Sequence, residues 1–470
     1  MNIRSNWKIV LIYLLVISGI SCLAGSSFAA VHYINAACTS SCDGATWAKG
    51  WETFAAVTWI RGDTYYVAGG TYAENVSVIV ASGTDWITIK KANAADNGSD
   101  PGWDASFAST VALIQGYMLL GYGHVEVNGV SGSGFSGHGI KVAPTAETSP
   151  IILDGSTGPY ILRYIEAAGK GFASGSACYS ALGNNNATTA QKNLHLAYMY
   201  FHDVTCNGLT LLNLVGTSYT DYGLLLENSI IEKTGGCTNV DQHGQGIQFG
   251  PGPSIRHEYM IIRNNIFKDI KGSAMIAFLG ATQNSEIRIY NNLFYITDLS
   301  TYDVLSPGVI YLHENALTTV DKVYVYNNTF YGLGDGGGEG VVGQIVCDSP
   351  GATNTEAKNN VWENSYFTRE NPGFTSKSNN GFYGNAGIHI PSGETNQQCG
   401  ASSTLSDGTT YNFNLKASGY AVGKGLDLSG TFLGDFTGTT RTVPWDIGAY
   451  GYRPTEDMIP PAAPMGLSVN

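Results

Sequence analysis

Short β-branched and aromatic runs recur along the chain, among them YMIIR (259–263), IRIY (287–290) and VYVY (323–326). Their apolar positions alternate, which predicts short strands with one face buried. Each run leads into the same polar pair: IIRNNIFKDI (261–270), IRIYNNLFYI (287–296), VYVYNNTFYG (323–332) and KNNVWEN (358–364), with LLENSII (225–231) as a variant. Taking Asn228, Asn265, Asn292, Asn328 and Asn360 as markers, the intervals are 37, 27, 36 and 32 residues. YMYFHDV (198–204) reads as an earlier copy without the Asn.

A second pattern runs in phase, Gly-apolar-x-apolar: HGIKV (138–142), NGLTL (207–211), QGIQF (245–249), PGVIY (307–311) and EGVVG (339–343), with SAMIAF (273–278) as a looser copy. From this strand to the next marker the distance stays at 17 to 19 residues; from the marker onward it varies from 10 to 19. A near-constant part and one variable arc per unit predict a coiled parallel β-solenoid of eight to ten coils. Stacked strands must hold register there, while a loop leaving the stack takes any length. Asn suits the sharp corner because it tolerates the left-handed conformation. Its amide can also bond the Asn of the coil above and below, so the markers predict an asparagine ladder. The apolar and aromatic residues that follow begin the next strand and fill the interior.

The two ends differ from the repeats. In DGATWAKGWETFAAV (43–57), Trp47, Trp51 and Phe54 stand at i, i+4 and i+7 behind Asp43, predicting an amphipathic cap helix. RGDTYYVAGGTYAENVSV (61–78) starts the sheets, its RGD being the turn of the GDTYYV stretch. TTRTVPWDIGAYGY (439–452) reads as a final strand and closure, and 454–470 as a Pro-rich tail. With the repeats, GDTYYVAGGTY near the start and R-x-x-x-x-DIGAYGY at the end, the chain resembles the secreted bacterial right-handed parallel β-helix proteins of the pectate-lyase-like superfamily. The resemblance covers residues 60–452. It implies an all-β fold, a right-handed parallel β-helix with an N-terminal cap helix. The expected divisions are a signal peptide at 1–29, a cap segment at 30–59, the β-helix at 60–453 and the tail at 454–470.

Composition agrees with a turn-rich β protein: 60 of 470 residues are Gly, 28 are Tyr, and only 13% are charged. A net charge of −13 without a basic run excludes nucleic acid and anionic membrane surfaces as natural partners. Arg4 and Lys8, the apolar run IVLIYLLVI (9–17) and SFA (27–29) before Ala30 read as an export signal. That run is too short to span a bilayer. Cys22 in GISC is a weak lipoprotein box. The expected location is therefore extracellular or cell-surface, without a membrane span, as a monomer. Seven cysteines follow residue 29; Cys38 and Cys42 are spaced to close a small loop, and the odd number leaves at least one over.

Fold does not give function. The resemblance implies a polysaccharide groove on the outer face of one sheet, here the Gly-apolar strands with Lys141, Thr210 and Gln248 outward. The richest polar stretch is NVDQHGQGIQFGPGPSIRHE (239–258), with Asp241 and His243 just before the strand. His202 and Asp203 stand one turn earlier, Asp269 and Lys271 one turn later, and His313 two turns later. Residues at like phase on adjacent coils lie about 5 Å apart, so Asp203, Asp241, His243, Asp269, Lys271 and His313 are the candidate catalytic residues. A lyase on uronic-acid polymers would use a Lys or Arg with carboxylate-bound Ca²⁺ and a base. A glycoside hydrolase would use two carboxyls, Asp241 with Asp203 or Asp269. No other cofactor is expected. The competing reading is a non-catalytic adhesive or carbohydrate-binding rod. Polysaccharide is the expected partner in either case.

Overall fold

The computed structural model describes residues 29–130, 134–154, 157–171, 178–184, 188–235, 244–302, 308–313, 319–334, 345–349, 351–365, 374–384 and 393–454. Residues 1–28 of the signal peptide expected at 1–29, Asp241, His243, EGVVG and nearly all of the Pro-rich tail lie outside these residues.

Three parallel sheets of 13, 12 and 9 strands stack into a parallel β-helix. The chain visits them in turn. Leu224–Glu227, Ile230–Thr234 and Gln245–Phe249 make one coil; Gly252–Arg263, Ile266–Ile270 and Ala274–Leu279 make the next. Register is kept residue by residue, as in Leu224 opposite Met260, Met260 opposite Ile287 and Ile287 opposite Val323. Thirteen strands exceed the eight to ten coils counted from the sequence, because the earliest coils lack the Asn pair.

Inward side chains stack in files. Phe267, Phe294, Phe330, Trp362 and Phe382 lie face to face with centroids 4.8, 4.8, 4.7 and 5.4 Å apart. The two asparagines of each corner divide the work. The first adopts the left-handed conformation, with φ of 55° at Asn264 and Asn291 and 49° at Asn327. The second is buried. Asn265, Asn292, Asn328 and Asn360 each donate both backbone N–H and Nδ2 to Oδ1 of the next Asn, ending at Asn380, at 2.8–3.1 Å. Asn380 in turn donates to Glu394. At 228–229 the phase read from the sequence is one residue off. Asn228 is the left-handed corner residue, φ 51°, and Ser229 takes the buried place, accepting from Met199 and donating its N–H to Asn265 Oδ1.

Three further expectations are corrected. The segment 43–57 is no helix but two single 3₁₀ turns, Trp47–Lys49 and Phe54–Ala56. Between them Trp51 donates its N–H to Tyr33 and accepts from Asn35, so strand-like pairing replaces helical bonds. The three aromatics are buried, but against different partners: Trp47 on Tyr33 and Phe107, Trp51 on Tyr65, Phe54 on Tyr72. Asp43 caps a local turn at Ala45. HGIKV belongs to the second sheet, Ile140–Val142 pairing with Ile165–Ala167, so Lys141 is not equivalent to Thr210. Residues 439–452 add no strand to the three sheets.

The last described residues instead lie across the corner between the first and second sheets. There the first asparagine of each pair reaches outward. Asn291 donates to Gly434 O, Asn327 to Asp446 O and Gly448 O, Asn359 to Leu426 O, and Asn379 to Lys424 O. Arg441, whose pKa burial pushes down to about 10, donates to Asn291 Oδ1 and to the carbonyls of Asp446, Gly448 and Ala449. Beneath this segment the outward positions of the second sheet are apolar: Ile230, Ile266, Leu293 and Val361 pack on Leu405, Phe413, Leu415 and Phe436. Two disulfides, Cys38–Cys42 and Cys178–Cys206, complete the covalent structure among the described residues.

Candidate functional site

On the second sheet, each strand from Tyr200–Val204 onward starts two residues after a left-handed corner residue. The second and fourth residues after the corner point outward and the third inward. The third-residue file is the core: Phe201, Ile231 and Phe267, all fully buried. The fourth-residue file is His202, Glu232, Lys268 and Tyr295 on successive coils. Between Leu113 and Ile230, which lies under the C-terminal segment, the second-residue file carries Lys141, Glu166 and Tyr200. The uncovered part of this face is therefore polar, and charges converge on it.

His202 lies between two carboxylates, Nδ1 2.7 Å from Asp203 Oδ2 and Nε2 3.1 Å from Glu166 Oε1. Glu166 also meets Lys141 Nζ at 2.6 Å. The Tyr200 ring stacks on His202 with centroids 4.0 Å apart, and its hydroxyl donates to Glu232 Oε1 at 2.5 Å. Lys268 Nζ meets Glu232 Oε2 at 3.0 Å and Asp269 Oδ2 at 3.7 Å; Lys233 closes the group 3.9 Å from Glu232. Glu232 and Asp269 are nearly buried, whereas Lys141, Asp203 and Lys233 keep a third or more of their side chains in solvent.

Burial disfavours the charge on Glu166, yet the hydrogen bonds from His202 and Lys141 hold its carboxyl down to about 2. Burial likewise opposes the His202 cation, and its two carboxylate partners override that and raise its pKa. Burial raises the Tyr200 phenol, reinforced by Glu232, so it stays a proton donor. These shifts carry a sign. Glu166 adds stability that is present above its unfolded pKa, near 4.3, and lost as pH falls toward 2. His202 adds stability below its unfolded pKa, near 6.5, that is lost as pH rises through its folded value. Chemical denaturation across pH should show a loss of about 2 kcal/mol from the Glu166 limb between about pH 5 and 2. Glu166→Gln should remove that limb and lower the His202 pKa read by NMR.

The sequence-derived candidates are distributed as follows. Asp203 and Asp269 occupy the same register two coils apart with Lys233 between them, all three in the left-handed conformation. Asp203 belongs to the His202 group. Asp269 accepts from the N–H and hydroxyl of Thr297 and fixes that corner. Lys271 follows the strand end. His313 lies on the third sheet, exposed, with Nδ1 2.5 Å from the Tyr311 hydroxyl. Asp241 and His243 fall outside the described residues, on the chain between the strands that end at Thr234 and begin at Gln245. His257 is interior, fully buried against Phe249, and burial lowers its pKa to about 4. Sequence reasoning passed over Glu166, Tyr200, Glu232 and Lys268. For Glu232 and Lys268 the fourth position after each corner was the available signal, since it is polar or aromatic from His202 onward.

The outward mid-strand positions of the third sheet, including Thr210, Gln248, Ala277 and Tyr311, carry no formal charge. Asn207 Nδ2 bridges Thr210 and Gln248 there. A calcium ion needs several oxygen ligands free of other cations. Glu166 and Glu232 each already face an amine, and no group of three or more metal-ligating side chains occurs among the described residues. These residues therefore do not fit a bound calcium.

No protein-family model matches the sequence, and no curated protein matches it. Among solved structures, the chain is similar to pectate lyase Pel9A at 14% identity over 90% of this chain and 96% of that one, TM-score 0.41. It is similar to an alginate lyase from Paenibacillus sp. str. FPU-7 at 14% identity over 79% and 99%, TM-score 0.37. The Streptococcus pneumoniae surface protein and adhesin PfbA aligns at 13% identity over 72% and 83%, TM-score 0.21. Similarity at this level leaves activity open.

Proposed function

We propose that the chain is an exported or cell-surface protein directed at polysaccharide, and that it engages its polymer along the Lys141–Glu166–Tyr200–His202–Asp203–Lys233 face of the second sheet. The supporting observation is the convergence of these groups on adjacent coils, partly exposed apart from the buried His202 and braced by one another. Fixed donors and acceptors at strand spacing, beside an aromatic ring, suit the hydroxyls and ring faces of a sugar chain. Hydrolysis is the less suited reaction here. It asks for a carboxyl kept protonated, whereas Glu166 and Asp203 are both held ionised by their partners. Elimination at a uronate would draw on Lys141 and Lys233 as cations, on the Asp203 carboxylate to take the proton α to the uronate carboxyl, and on Tyr200 to protonate the leaving oxygen.

A non-catalytic binding rod is favoured by one observation: Lys141, Lys233 and Lys268 each already face a carboxylate. One experiment addresses both readings. A panel of neutral and uronic-acid polysaccharides is tested for retention in affinity electrophoresis and for new unsaturated or reducing ends. Retention weakened about tenfold or more by Lys141→Ala and by Tyr200→Phe is the expected result. New chain ends that vanish with Tyr200→Phe identify a lyase, and retention without new ends identifies the rod. Retention unchanged by either substitution removes this face from the function.

A further inference from the structure

We infer that hydrolysis of the Ala29–Ala30 bond creates an N-terminal ammonium that pairs with Asp63 and locks the first strand of the β-helix. Water supplies the hydroxyl to the Ala29 carbonyl carbon and a proton to the Ala30 nitrogen. The amine released takes a second proton from solvent.

The geometry for this pair is already in place. Val31–Ile34 is the end strand of the first sheet, paired along its length with Thr64–Val67 and bridged on the other side to Gly44 and Trp51. Thr64 N donates to Ala30 O at 2.9 Å, which holds Ala30 at the strand entrance. The Ala30 nitrogen lies 2.8 Å from Asp63 Oδ1, and His32 Nε2 lies 2.9 Å from Asp63 Oδ2. The imidazole is stacked on Tyr65 at 4.9 Å and tilted against Trp51 at 5.2 Å, so it cannot swing away. Asp63 is only 7% exposed. Among the described residues His32 is its sole ion-pair partner. A buried carboxylate facing a peptide N–H lacks a full positive charge that an ammonium at the same nitrogen would supply, as a shorter and stronger charge-assisted bond. Ala29 and Ala30 are both exposed, so the bond is open to a peptidase. Arg61, next to Asp63, does not compete. Its guanidinium donates to the carbonyls of Val80, Ala81, Asp85, Tyr122 and Gly123. The RGD tripeptide is thus consumed by the fold.

The export reading supplies the peptidase, whereas the pairing stands on the carboxylate geometry, and the experiment separates the two. The full chain is expressed in an exporting host and the N-terminus of the released protein is sequenced; Ala-Val-His-Tyr is expected. Chains beginning at Ala30 and chains carrying one extra Gly before it are then prepared directly. Hydrogen exchange of residues 31–34 and 64–67 is compared, in the wild type and in Asp63→Asn. The Ala30 terminus should slow exchange about tenfold relative to the extended chain, and Asp63→Asn should abolish that difference. A released terminus elsewhere, at Cys22 for instance, overturns the processing site. Equal exchange in the two wild-type chains overturns the pairing.

Discussion

Asn328→Ala is expected to lower the unfolding free energy by about 4 kcal/mol. The side chain accepts from the N–H and Nδ2 of Asn292 and donates to Asn360 Oδ1 and Ile289 O, and it is fully buried. Truncation leaves the Asn292 N–H without a partner and takes one bond each from Asn292 Nδ2, Ile289 O and Asn360 Oδ1, in a space water does not reach. The cost is an unpaired buried donor together with the lost bonds, rather than one bond. Urea titration followed by tryptophan fluorescence reads the change as a shifted midpoint. The corner residue is the control. Asn264 has φ 55° and an Oδ1 without a partner, so Asn264→Gly should be near neutral, the backbone gain offsetting the lost amide. Equal losses from both substitutions would refute the division of labour within the pair.

Arg441→Ala carries the second large effect, about 3–5 kcal/mol. Its guanidinium is the cross-tie between Asn291, three residues of the C-terminal segment and the corner beneath them. Without it Asn291 Oδ1 loses its donor, while the carbonyls of Asp446, Gly448 and Ala449 are left with those of Asn327 and Phe436 alone. The segment from Lys424 to Gly448 should loosen as a unit, exposing the apolar second-sheet positions under it. Limited proteolysis should then cut within 424–453 at low protease, where the wild type resists, and a dye that binds apolar surface should report the uncovered Ile266 and Leu293. Arg441→Lys should recover only part of the stability, since one ammonium cannot reach all four acceptors.

The repeat was legible because a stack enforces it: Phe267, Phe294 and Phe330 must superpose, so their spacing from Asn265, Asn292 and Asn328 cannot drift. Asn228 was misphased because Asn and Ser both serve at a corner, and only the neighbouring coil decides which one faces inward. Lys141 was placed on the wrong sheet for a related reason. Gly-apolar-x-apolar describes any short strand entered from a tight turn, and Ile140–Val142 satisfies it within the second sheet. The aromatic spacing of Trp47, Trp51 and Phe54 fitted a helix, but their burial arises from three separate contacts on one extended path. Of the polar site, Asp203 and Asp269 could be seen to share a phase. Glu166 and Tyr200 could not, because they sit on strands that precede the first Asn pair, where nothing in the chain marks the register.

The outward asparagines have a consequence for the order of folding. Bonds between neighbouring coils span roughly one repeat, such as the 27 residues from Asn265 to Asn292. The clasps are longer, 143 residues from Asn291 to Gly434 and 119 from Asn327 to Asp446. Contacts that close longer loops form later. Coils can therefore stack one upon another as the chain emerges, N-terminal end first, while the C-terminal residues join last and tie coils that are already in register. Because the outer amides of Asn291, Asn327 and Asn379 donate to the C-terminal segment, its docking acts as a check that the earlier stacking was correct.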